Sequence, residues 1–503
     1  MSANTPHSKN TSVSSHTQLD RRGFLGSVAL GSLLTALNTD SLGMPASAPT
    51  LEDVKGSRPN IIFVMVDDMG YNDLGVYGQQ HIQMPHVDQM AREGIRYTDA
   101  YTGSPICAPS RSALMTGMHT GNTRVRGNLP PVGGHGAVEC TGRGEGRLRL
   151  PLHEDDVTVA DLLKKAGYRT GITGKWGLGE PGTPGIPNRQ GFDEWLGFLN
   201  QRLAHSYYPE YIWHNEEKVM LPGNTGTTED FATEEHYVHD MFTDFALDFI
   251  QRHGTGDDPF FLYVPYTVPH ARWQIDALEP YTEEQDWTQE EKVYASMLTR
   301  VDRDMGRMFD LLKDLDIDES TIVFFCSDNG AQNRYEDVFD SSYPLRGQKR
   351  SLYDGGIRTP MVVRWPGTIQ PGVVSNDIWY FPDVLPTLAD LAGVTPPENI
   401  DGVSVVPSLI SEPQPELSTR PLYWEDHERG FRQAARKGDW KAVRNGFDEP
   451  IELYNLAEDI GEQQDIAADH PERVAWFEQF FKDARTPSPS WPAPLDNVAE
   501  AQG

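Results

Sequence analysis

The sequence feature that most restricts the fold is a run of six apolar residues, Ile61-Ile62-Phe63-Val64-Met65-Val66. The run is rich in β-branched residues and has no alternating polar positions, so it predicts a strand buried on both faces. Further strands are predicted at 168–172, 260–264 and 321–325. Amphipathic helices are predicted between them, at 87–94, 155–167, 240–252 and 290–315. This alternation indicates an α/β fold with a mostly parallel central sheet flanked by helices.

The residues after about 410 have a different pattern. Short apolar runs separated by turn residues predict a small antiparallel sheet, with strands at 421–424, 432–436, 440–444 and 451–454. A helix is predicted at about 471–484. The proline-rich residues 486–494 predict an extended or frayed tail. The sequence therefore predicts a large α/β part followed by a small α+β part.

The charge of the 503-residue chain excludes some kinds of partner. Its formal net charge at pH 7 is −31 and its pI is about 4.8. Such an acidic surface repels nucleic acid and anionic membranes, so we expect neither as a partner. The acidity is explained equally by general solubility and by adaptation to a saline medium. An anionic substrate therefore requires a locally cationic pocket.

The first 50 residues are typical of an export signal and a disordered N-terminus. Arg21-Arg22 precedes a mildly apolar stretch that ends near Leu37, which is the pattern of a twin-arginine signal. The stretch is too short for a stable membrane span. Ala46-Ser47-Ala48 has the small residues of a cleavage site, but Pro49 obstructs cleavage there. The sequence predicts export of the folded protein by the twin-arginine machinery, to the periplasm or the extracellular medium.

Polar side chains follow four of the predicted strands. Asp67-Asp68 come directly after the first strand, Asp328-Asn329 follow the strand at 321–325, and Lys175 and His270 follow two others. Because parallel sheets bind ligands outside the carboxyl ends of their strands, we expect these groups to converge. The four oxygen-bearing side chains suit a hard divalent cation, with calcium favoured over magnesium. The alternative is that the two adjacent acids cap the following turn.

Cys107 stands apart from the other two cysteines of the chain. Three cysteines do not make a disulfide framework, and Cys326 adjoins an apolar run while Cys140 lies in a glycine-rich loop. Cys107 begins a predicted short helix, and Arg111 follows one turn later. A helix N-terminus and a guanidinium group both attract anions, so a nucleophile can meet an anionic group here. The alternative is a buried structural cysteine.

Several motifs carry a resemblance to a known family. Cys107-Ala108-Pro109-Ser110-Arg111, followed by Leu114-Met115-Thr116-Gly117, resembles the signature of the type I formylglycine-dependent sulfatases. Gly174-Lys175-Trp176 resembles the second signature of that family. Gly355-Gly356-Ile357-Arg358-Thr359-Pro360 resembles the segment that follows the family's active-site lysine, here Lys349. The pattern is most similar to arylsulfatases, N-acetylgalactosamine-6-sulfatases and bacterial carbohydrate sulfatases.

The resemblance extends from about residue 58 into the 480s, and it implies a fold and a domain division. The implied fold is the large alkaline-phosphatase-like sandwich, followed by a small antiparallel sheet with a helix. The sulfatase catalytic domain is expected at 51–410, and the C-terminal α+β subdomain at 411–503.

The resemblance also implies a mechanism. A formylglycine-generating enzyme would oxidise Cys107 to formylglycine (3-oxoalanine), and an oxygen of its hydrate would attack the sulfur of a sulfate ester. Arg111 would support the formylglycine and the metal, and Lys175 and Lys349 would bind sulfate oxygens. His270 would protonate the leaving alcohol. One calcium ion per chain would be held by Asp67, Asp68, Asp328 and Asn329, with Asp328 also accepting the proton of the attacking hydroxyl.

One position departs from the family pattern. The second signature is normally Gly-Lys-Trp-His-Leu-Gly, but residue 177 here is glycine, so the histidine that helps handle the formylglycine hydroxyl is missing. Our hypothesis is that His205 enters the substrate pocket and takes over part of that role. The alternative is that His205 packs structurally in an aromatic loop. Residues 129–149 are either a substrate-facing loop or an ordinary surface loop, and residues 424–427 could reach the rim.

The sequence favours a sulfatase that acts on a sulfated carbohydrate, and two other functions stay open. Related enzymes of the same superfamily hydrolyse phosphate or phosphonate esters. Gly177 also leaves room for a catalytically weak protein that binds sulfated glycans. The intact motif around Cys107 and the ligands for a single metal ion favour the sulfatase. No recognisable motif specifies the sugar, the position of its sulfate, or whether the enzyme acts on chain ends or on interior units.

Overall fold

Two sheets of very different size organise the fold, which is seen in a computed structural model describing residues 49–332, 336–494 and 496. The predicted export signal around Arg21-Arg22 lies outside the described residues. The strands are β1 Asn60–Val66, β2 Ile95–Tyr97, β3 Ala100–Tyr101, β4 Val138–Glu139, β5 Leu148–Arg149, β6 Arg169–Lys175, β7 Glu194–Phe198, β8 Tyr211–His214, β9 Glu217–Met220, β10 Phe260–Pro265, β11 Thr321–Ser327, β12 Met361–Arg364, β13 Val373–Ser375, β14 Trp379–Tyr380, β15 Pro421–Asp426, β16 Arg432–Lys437, β17 Trp440–Arg444 and β18 Glu452–Asn455.

The large sheet has ten strands in the order β13-β2-β12-β11-β1-β10-β6-β7-β8-β9. Its five central strands, from β11 to β7, run parallel to one another. All residues from Ile61 to Val66 in β1 are at most 1% exposed. Because successive side chains of a strand point to opposite faces, this burial means that both faces of the sheet are covered. The predicted mostly parallel α/β sheet is confirmed.

Helices cover the sheet, and most begin within a few residues of the predicted positions. The helix predicted at 155–167 is shorter, Val159–Lys165, because Thr158 rather than an earlier residue caps it: Thr158 Oγ1 accepts from Asp161 N, and Asp161 Oδ2 accepts from Thr158 N. The helices are α1 Leu51–Val54, α2 Pro85–Glu93, α3 Cys107–Thr116, α4 Val159–Lys165, α5 Val238–His253, α6 Gln289–Asp314, α7 Glu336–Phe339, α8 Asp354–Ile357, α9 Val384–Ala392, α10 Val406–Leu409, α11 Glu416–Thr419 and α12 Pro471–Asp483.

The small sheet is antiparallel and is followed by a helix, as predicted. Its strand order is β15-β16-β17-β18, and α12 packs on β16. It joins the α/β part through buried polar contacts. Trp424 Nε1 donates to the carbonyl of Thr102 at 2.8 Å, and Lys441 Nζ lies 2.6 Å from Asp354 Oδ1. Buried polar groups of this kind are costly unless they are paired, so the contacts hold the two parts in register. The domain boundary near residue 410 stays a prediction.

The proline-rich segment at 486–494, for which the sequence predicted an extended or frayed tail, packs against the α/β part. Trp491 is 3% exposed and its Nε1 donates to the carbonyl of Arg124 at 2.8 Å. Thr486 N donates to the carbonyl of Gly121 at 3.0 Å. One large buried aromatic side chain with a satisfied indole N–H is sufficient to hold a short extended segment in place. Across the described part of the chain, no helix is both long and apolar enough to cross a bilayer.

Candidate active site

Cys107 occupies the first position of α3 and is buried. The residue before it, Ile106, is extended, with φ −145° and ψ 154°, and the helix ends at Gly117, whose φ of 71° closes its last turn. Cys107 Sγ lies 3.4 Å from Asp67 Oδ1 and 3.4 Å from Lys349 Nζ. Burial and the neighbouring Asp67 carboxylate raise the pKa of the Cys107 thiol to about 12. An unmodified Cys107 is therefore a protonated thiol at neutral pH and a poor nucleophile.

The oxygen-bearing side chains meet as the strand order requires. In the parallel pair β1–β11, Val66 is opposite Ser327, so Asp67-Asp68 and Asp328-Asn329 leave the sheet at the same edge. Asp68 N donates to Asp328 Oδ1 at 3.3 Å, and Asn329 Nδ2 donates to Asp68 Oδ1 at 2.7 Å. All four residues are at most 1% exposed. The backbone of Asp68 has a φ of 72°, an uncommon conformation that turns its carboxylate into this cluster.

Two lysines from separate segments neutralise the two adjacent acids. Lys175 Nζ lies 2.5 Å from Asp67 Oδ2, and Lys349 Nζ lies 2.5 Å from Asp68 Oδ1. Burial by itself raises the pKa of each carboxyl, but the ammonium charges outweigh it. Lys175 is the main reason that the pKa of Asp67 falls well below its usual range, and Lys349 lowers that of Asp68. Both acids are therefore ionised at neutral pH.

Arg111 binds the third acid from one turn inside α3. Its Nη2 and Nε donate to Asp328 Oδ2 at 2.8 and 3.1 Å, and its Nη1 donates to the carbonyl of Lys175 at 2.5 Å. Burial, followed by the charge of Asp67, raises the pKa of Asp328 to about 6 in spite of the guanidinium. The side chain of Arg111 is 1% exposed. Its hydrogen bonds to Asp328 and Lys175 join α3 to the ends of β11 and β6.

The cluster fits a hard divalent cation. The Oδ1 atom of Asn329 is buried and has no hydrogen-bond partner, which leaves an amide oxygen available to a cation. Asp67 and Asp68 have ligand atoms within 4.8 Å of each other and of Cys107 and His270, and Asp328 and Asn329 join them through hydrogen bonds with Asp68. Three carboxylates and an amide oxygen are the donor set that Ca²⁺ and Mg²⁺ prefer. Both adjacent acids bind lysines from distant segments, which turn capping alone does not explain.

A cavity of about 290 Å³ contains Cys107 in its wall. His270 and His205 also line it, with ring centroids 4.9 Å apart and an interplanar angle of 27°. His270 Nε2 lies 3.7 Å from Asp68 Oδ2. The lining residues are Cys107, Asn128, Leu129, Arg149, Gln201, Arg202, His205, His270, Gln332, Lys349, Arg350 and Glu428. The structure thus brings together the predicted site residues, including His205.

Both histidines are neutral at pH 7 in the free protein. Burial and the charge of Lys349 lower the pKa of His270 to about 4. Burial and the adjacent His270 lower the pKa of His205 to about 2. An anionic group that enters the cavity favours the imidazolium form, so binding of such a group raises both pKa values. Ammonium, guanidinium and imidazole groups around a buried cysteine at the end of a parallel sheet are typical of an enzyme that binds an oxyanion.

Two glutamines of the site were missed by sequence reasoning. Gln332 Nε2 donates to Asp68 Oδ2 at 2.6 Å, and its position three residues after Asn329 was the available signal. Gln201 fills the space beside Gly177, where an added Cβ would lie 2.2 Å from Gln201 Nε2. The available signal in the sequence was Gly177 itself, because the space left by a missing side chain is usually filled by a neighbouring residue.

The two segments considered as possible parts of the pocket differ. Leu129 and Arg149, at the ends of the segment 129–149, line the cavity, so this segment is more than a surface loop. In the segment 424–427, Trp424 and Glu425 are fully buried and point into the protein. Glu428, the residue after this segment, is the one that reaches the cavity.

Comparison with known proteins identifies the family. The Sulfatase family model matches residues 59–394, and the model for the N-sulphoglucosamine sulphohydrolase C-terminal region matches residues 347–479. Human N-acetylgalactosamine-6-sulfatase is 33% identical over 407 residues, covering 76% of this chain and 71% of its own length. Human arylsulfatase A is 33% identical over 413 residues, covering 76% of this chain and 74% of its own.

The similarity extends to solved structures. The crystal structure of Ps i-CgsB in complex with k-i-k-neocarrahexaose superposes with a TM-score of 0.73 at 28% identity, covering 88% of this chain and 97% of that one. The phosphonate monoester hydrolase of Agrobacterium radiobacter has a TM-score of 0.60 at 21% identity, with 85% of this chain and 95% of that one covered, and shares the fold. The chain belongs to the sulfatase family. It is a sulfuric ester hydrolase with the alkaline-phosphatase-like fold.

Proposed function

We propose that the enzyme removes sulfate from a sulfated carbohydrate, with formylglycine formed from Cys107 and with one bound calcium ion. The observation that carries the proposal is the setting of Cys107, which is buried between Asp67 and Lys349 in the wall of a cavity that also holds His270. A thiol whose pKa burial raises to about 12 is not itself the nucleophile. Formylglycine at this position would supply, as its hydrate, a hydroxyl that can attack sulfur and a second hydroxyl through which the sulfate can then be released.

The metal ligands in this proposal are Asp67, Asp68, Asp328 and Asn329. When bound, Ca²⁺ supplies positive charge that stabilises the oxygens of the sulfate group. The proposal is supported by the unpaired Oδ1 of Asn329 and by the ionised state of the two adjacent acids. Asp328 is the proposed acceptor of the proton of the attacking hydroxyl, and Arg111 orients its carboxylate through two hydrogen bonds.

The remaining side chains bind the sulfate and protonate the leaving group. Lys175 and Lys349 are proposed to bind sulfate oxygens, and they are the two ammonium groups nearest to the acids of the site. His270 is proposed to donate a proton to the leaving alcohol, since it is the imidazole beside Asp68 and Lys349. It is neutral in the free enzyme and takes up a proton as the anionic ester binds.

The proposed substrate class, partners and location follow the relatives. The names of human N-acetylgalactosamine-6-sulfatase and of the neocarrahexaose complex of Ps i-CgsB each contain a carbohydrate, which supports a sulfated oligosaccharide or polysaccharide here. A formylglycine-generating enzyme is the proposed partner that modifies Cys107. The Arg21-Arg22 motif supports export to the periplasm or the medium through the twin-arginine machinery.

Comparing nitrophenyl sulfate with nitrophenyl phosphate tests this function against its alternatives. We expect kcat/KM for the sulfate ester to exceed that for the phosphate ester by at least about 100-fold, because a dianionic phosphate places one more negative charge beside the buried acids. A preference for phosphate favours the phosphate or phosphonate hydrolase. Binding of sulfated glycan without hydrolysis favours the weak binding protein.

Replacing His270 by alanine is expected to affect substrates according to their leaving group. For a sugar sulfate, which releases a poor alkoxide, we expect kcat/KM to fall by about 100- to 1,000-fold. For nitrophenyl sulfate, whose phenolate leaves without protonation, the loss is expected to be about tenfold or less. Steady-state kinetics on both esters provide the measurement. Equal losses on the two esters contradict a role for His270 as the acid.

The role of His205 is tested by two replacements. His205→Ala is expected to lower turnover by about tenfold, because it removes an imidazole from the cavity wall next to His270. His205→Phe keeps a ring that can stack on His270 but has no ring nitrogen. Loss of turnover in both variants supports a chemical role for His205. A chemical role is contradicted if turnover is unchanged in His205→Ala, or if His205→Phe turns over as fast as the wild-type enzyme.

A further inference from the structure

Two hydrogen-bond donors in the cavity wall have no function in the proposed mechanism. Gln201 is 4% exposed, and its Nε2 is buried without a hydrogen-bond partner. The Nη1 of Arg149 is also buried without a partner. Native proteins pair almost all of their buried donors, so these two donors are available to a ligand that enters the cavity.

Gly177 explains how Gln201 reaches this position. The backbone at Gly177 has a φ of 83°, and a Cβ added there would lie 2.2 Å from Gln201 Nε2. Any larger residue at 177 would displace the amide. Gln201 and Arg149 line both the active-site cavity and a small pocket that adjoins Gly177. The departure from the family signature thus creates the space that the glutamine occupies.

The charges near these donors are unbalanced. Arg149 and Arg202 both line the cavity, and among the described residues neither has an acid within 4.0 Å. The acid in the same lining, Glu428, is already engaged: its Oε1 accepts from Asn128 N at 3.0 Å, and its Oε2 lies 3.9 Å from Arg350 Nε. Burial and the charges of Arg147 and Arg149 lower the pKa of Arg202, and the charge of Glu428 offsets this only in part.

We propose that Gln201, Arg149 and Arg202 form a subsite for a second anionic group of the substrate, separate from the sulfate that is cleaved. The inference rests on the proposed function, because it specifies the carbohydrate as one with at least two anionic groups. A guanidinium group binds a sulfate or a carboxylate through two parallel N–H donors, and the amide of Gln201 adds a third donor. The second group is a sulfate or a uronic carboxylate on the same sugar or on its neighbour.

The subsite is tested with galactosamine-containing disaccharides of three kinds. One carries a single sulfate, one carries two sulfates, and one carries a single sulfate with a uronic carboxylate. The measured quantity is the ratio of kcat/KM for each doubly anionic disaccharide to that for the singly sulfated one. In the wild-type enzyme we expect this ratio to be above about 10, since a hydrogen bond to a charged group contributes substantially to binding. The larger of the two ratios identifies sulfate or carboxylate as the second group.

Three variants and one control locate the effect. Arg149→Gln and Arg202→Gln each remove a charge, and Gln201→Glu replaces a donor by a carboxylate of the same shape. We expect each to lower the ratio by about 10- to 100-fold, mainly through KM. Arg189→Gln is the matched control, because Arg189 is exposed and lies 3.7 Å from Glu216, outside the cavity lining. The control is expected to keep the wild-type ratio.

Two outcomes overturn the subsite without touching the proposed function. The first is a wild-type ratio near 1, and the second is a set of variants that lose activity equally on all three disaccharides. Failure of the wild-type enzyme to hydrolyse nitrophenyl sulfate, by contrast, contradicts the proposed function. In that case, calorimetry of the Cys107→Ala protein with the same disaccharides still tests the subsite, and equal affinity for all three overturns it.

Discussion

Cys107→Ala is expected to lower the hydrolysis of nitrophenyl sulfate by on the order of 10,000-fold or more, because the proposed nucleophile is made from this side chain. The fold is expected to survive the change. Cys107 is at the first position of α3, and its Sγ lies 3.4 Å from both Asp67 and Lys349. These two residues are held by closer contacts of 2.5 Å, Asp67 with Lys175 and Lys349 with Asp68. Steady-state kinetics and the thermal unfolding midpoint provide the two measurements.

Cys140→Ala is the matched control for this variant. It removes another buried thiol, one that belongs neither to the catalytic cavity lining nor to the proposed metal ligands. We expect Cys140→Ala to keep activity within about threefold of the wild-type value. A Cys107→Ala enzyme with more than about 1% of wild-type activity contradicts a nucleophile derived from Cys107.

Asp68→Asn is expected to lower activity by about 100- to 1,000-fold and to weaken the binding of calcium. The carboxylate of Asp68 accepts hydrogen bonds from Asn329, Gln332 and Lys349, and it lies beside the proposed metal position. An amide in its place removes one negative ligand and leaves the Lys349 ammonium without its counter-charge. Both changes oppose binding of a divalent cation.

The measurement is the shift of the unfolding midpoint between excess chelator and excess calcium. Ligand binding to the native state raises the midpoint, so the wild-type protein should show a clear increase and Asp68→Asn a much smaller one. Asp383→Asn is the control, since Asp383 is an equally buried acid that forms an ion pair with Arg420 outside the site. Asp383→Asn should lower stability but keep the calcium shift. A wild-type midpoint and activity that do not respond to chelator contradict the calcium site.

The strands and the convergence of the acids were predictable from the sequence for a simple geometric reason. The continuous apolar run at 61–66 predicts a strand that is buried on both faces. Residues that follow neighbouring parallel strands leave the sheet at the same edge. Asp67, Asp68, Asp328 and Asn329 therefore meet, although 260 residues separate the first pair from the second. Their distances to Lys349 could not be predicted, since Lys349 lies in irregular chain.

The pocket wall was predicted less well because it is built from loops. Gln201 and Arg149 belong to segments whose backbone paths depend on tertiary contacts, and no periodic pattern marks them. Gly177 was identified as the departure from the family pattern, and His205 was proposed to compensate for it. The structure shows that Gln201 is the side chain that fills the space beside Gly177. The effect of a missing side chain is decided by the neighbour that replaces it, which only the folded chain reveals.

The modification state of Cys107 is the most direct test of the central claim that this sulfatase depends on formylglycine. The peptide that contains Cys107 is analysed by mass spectrometry in protein made with and without a co-expressed formylglycine-generating enzyme, and the same preparations are assayed on nitrophenyl sulfate. We expect the mass change from thiol to aldehyde at Cys107, and activity in proportion to the fraction converted. Full activity in a preparation in which Cys107 is entirely unmodified would contradict the account.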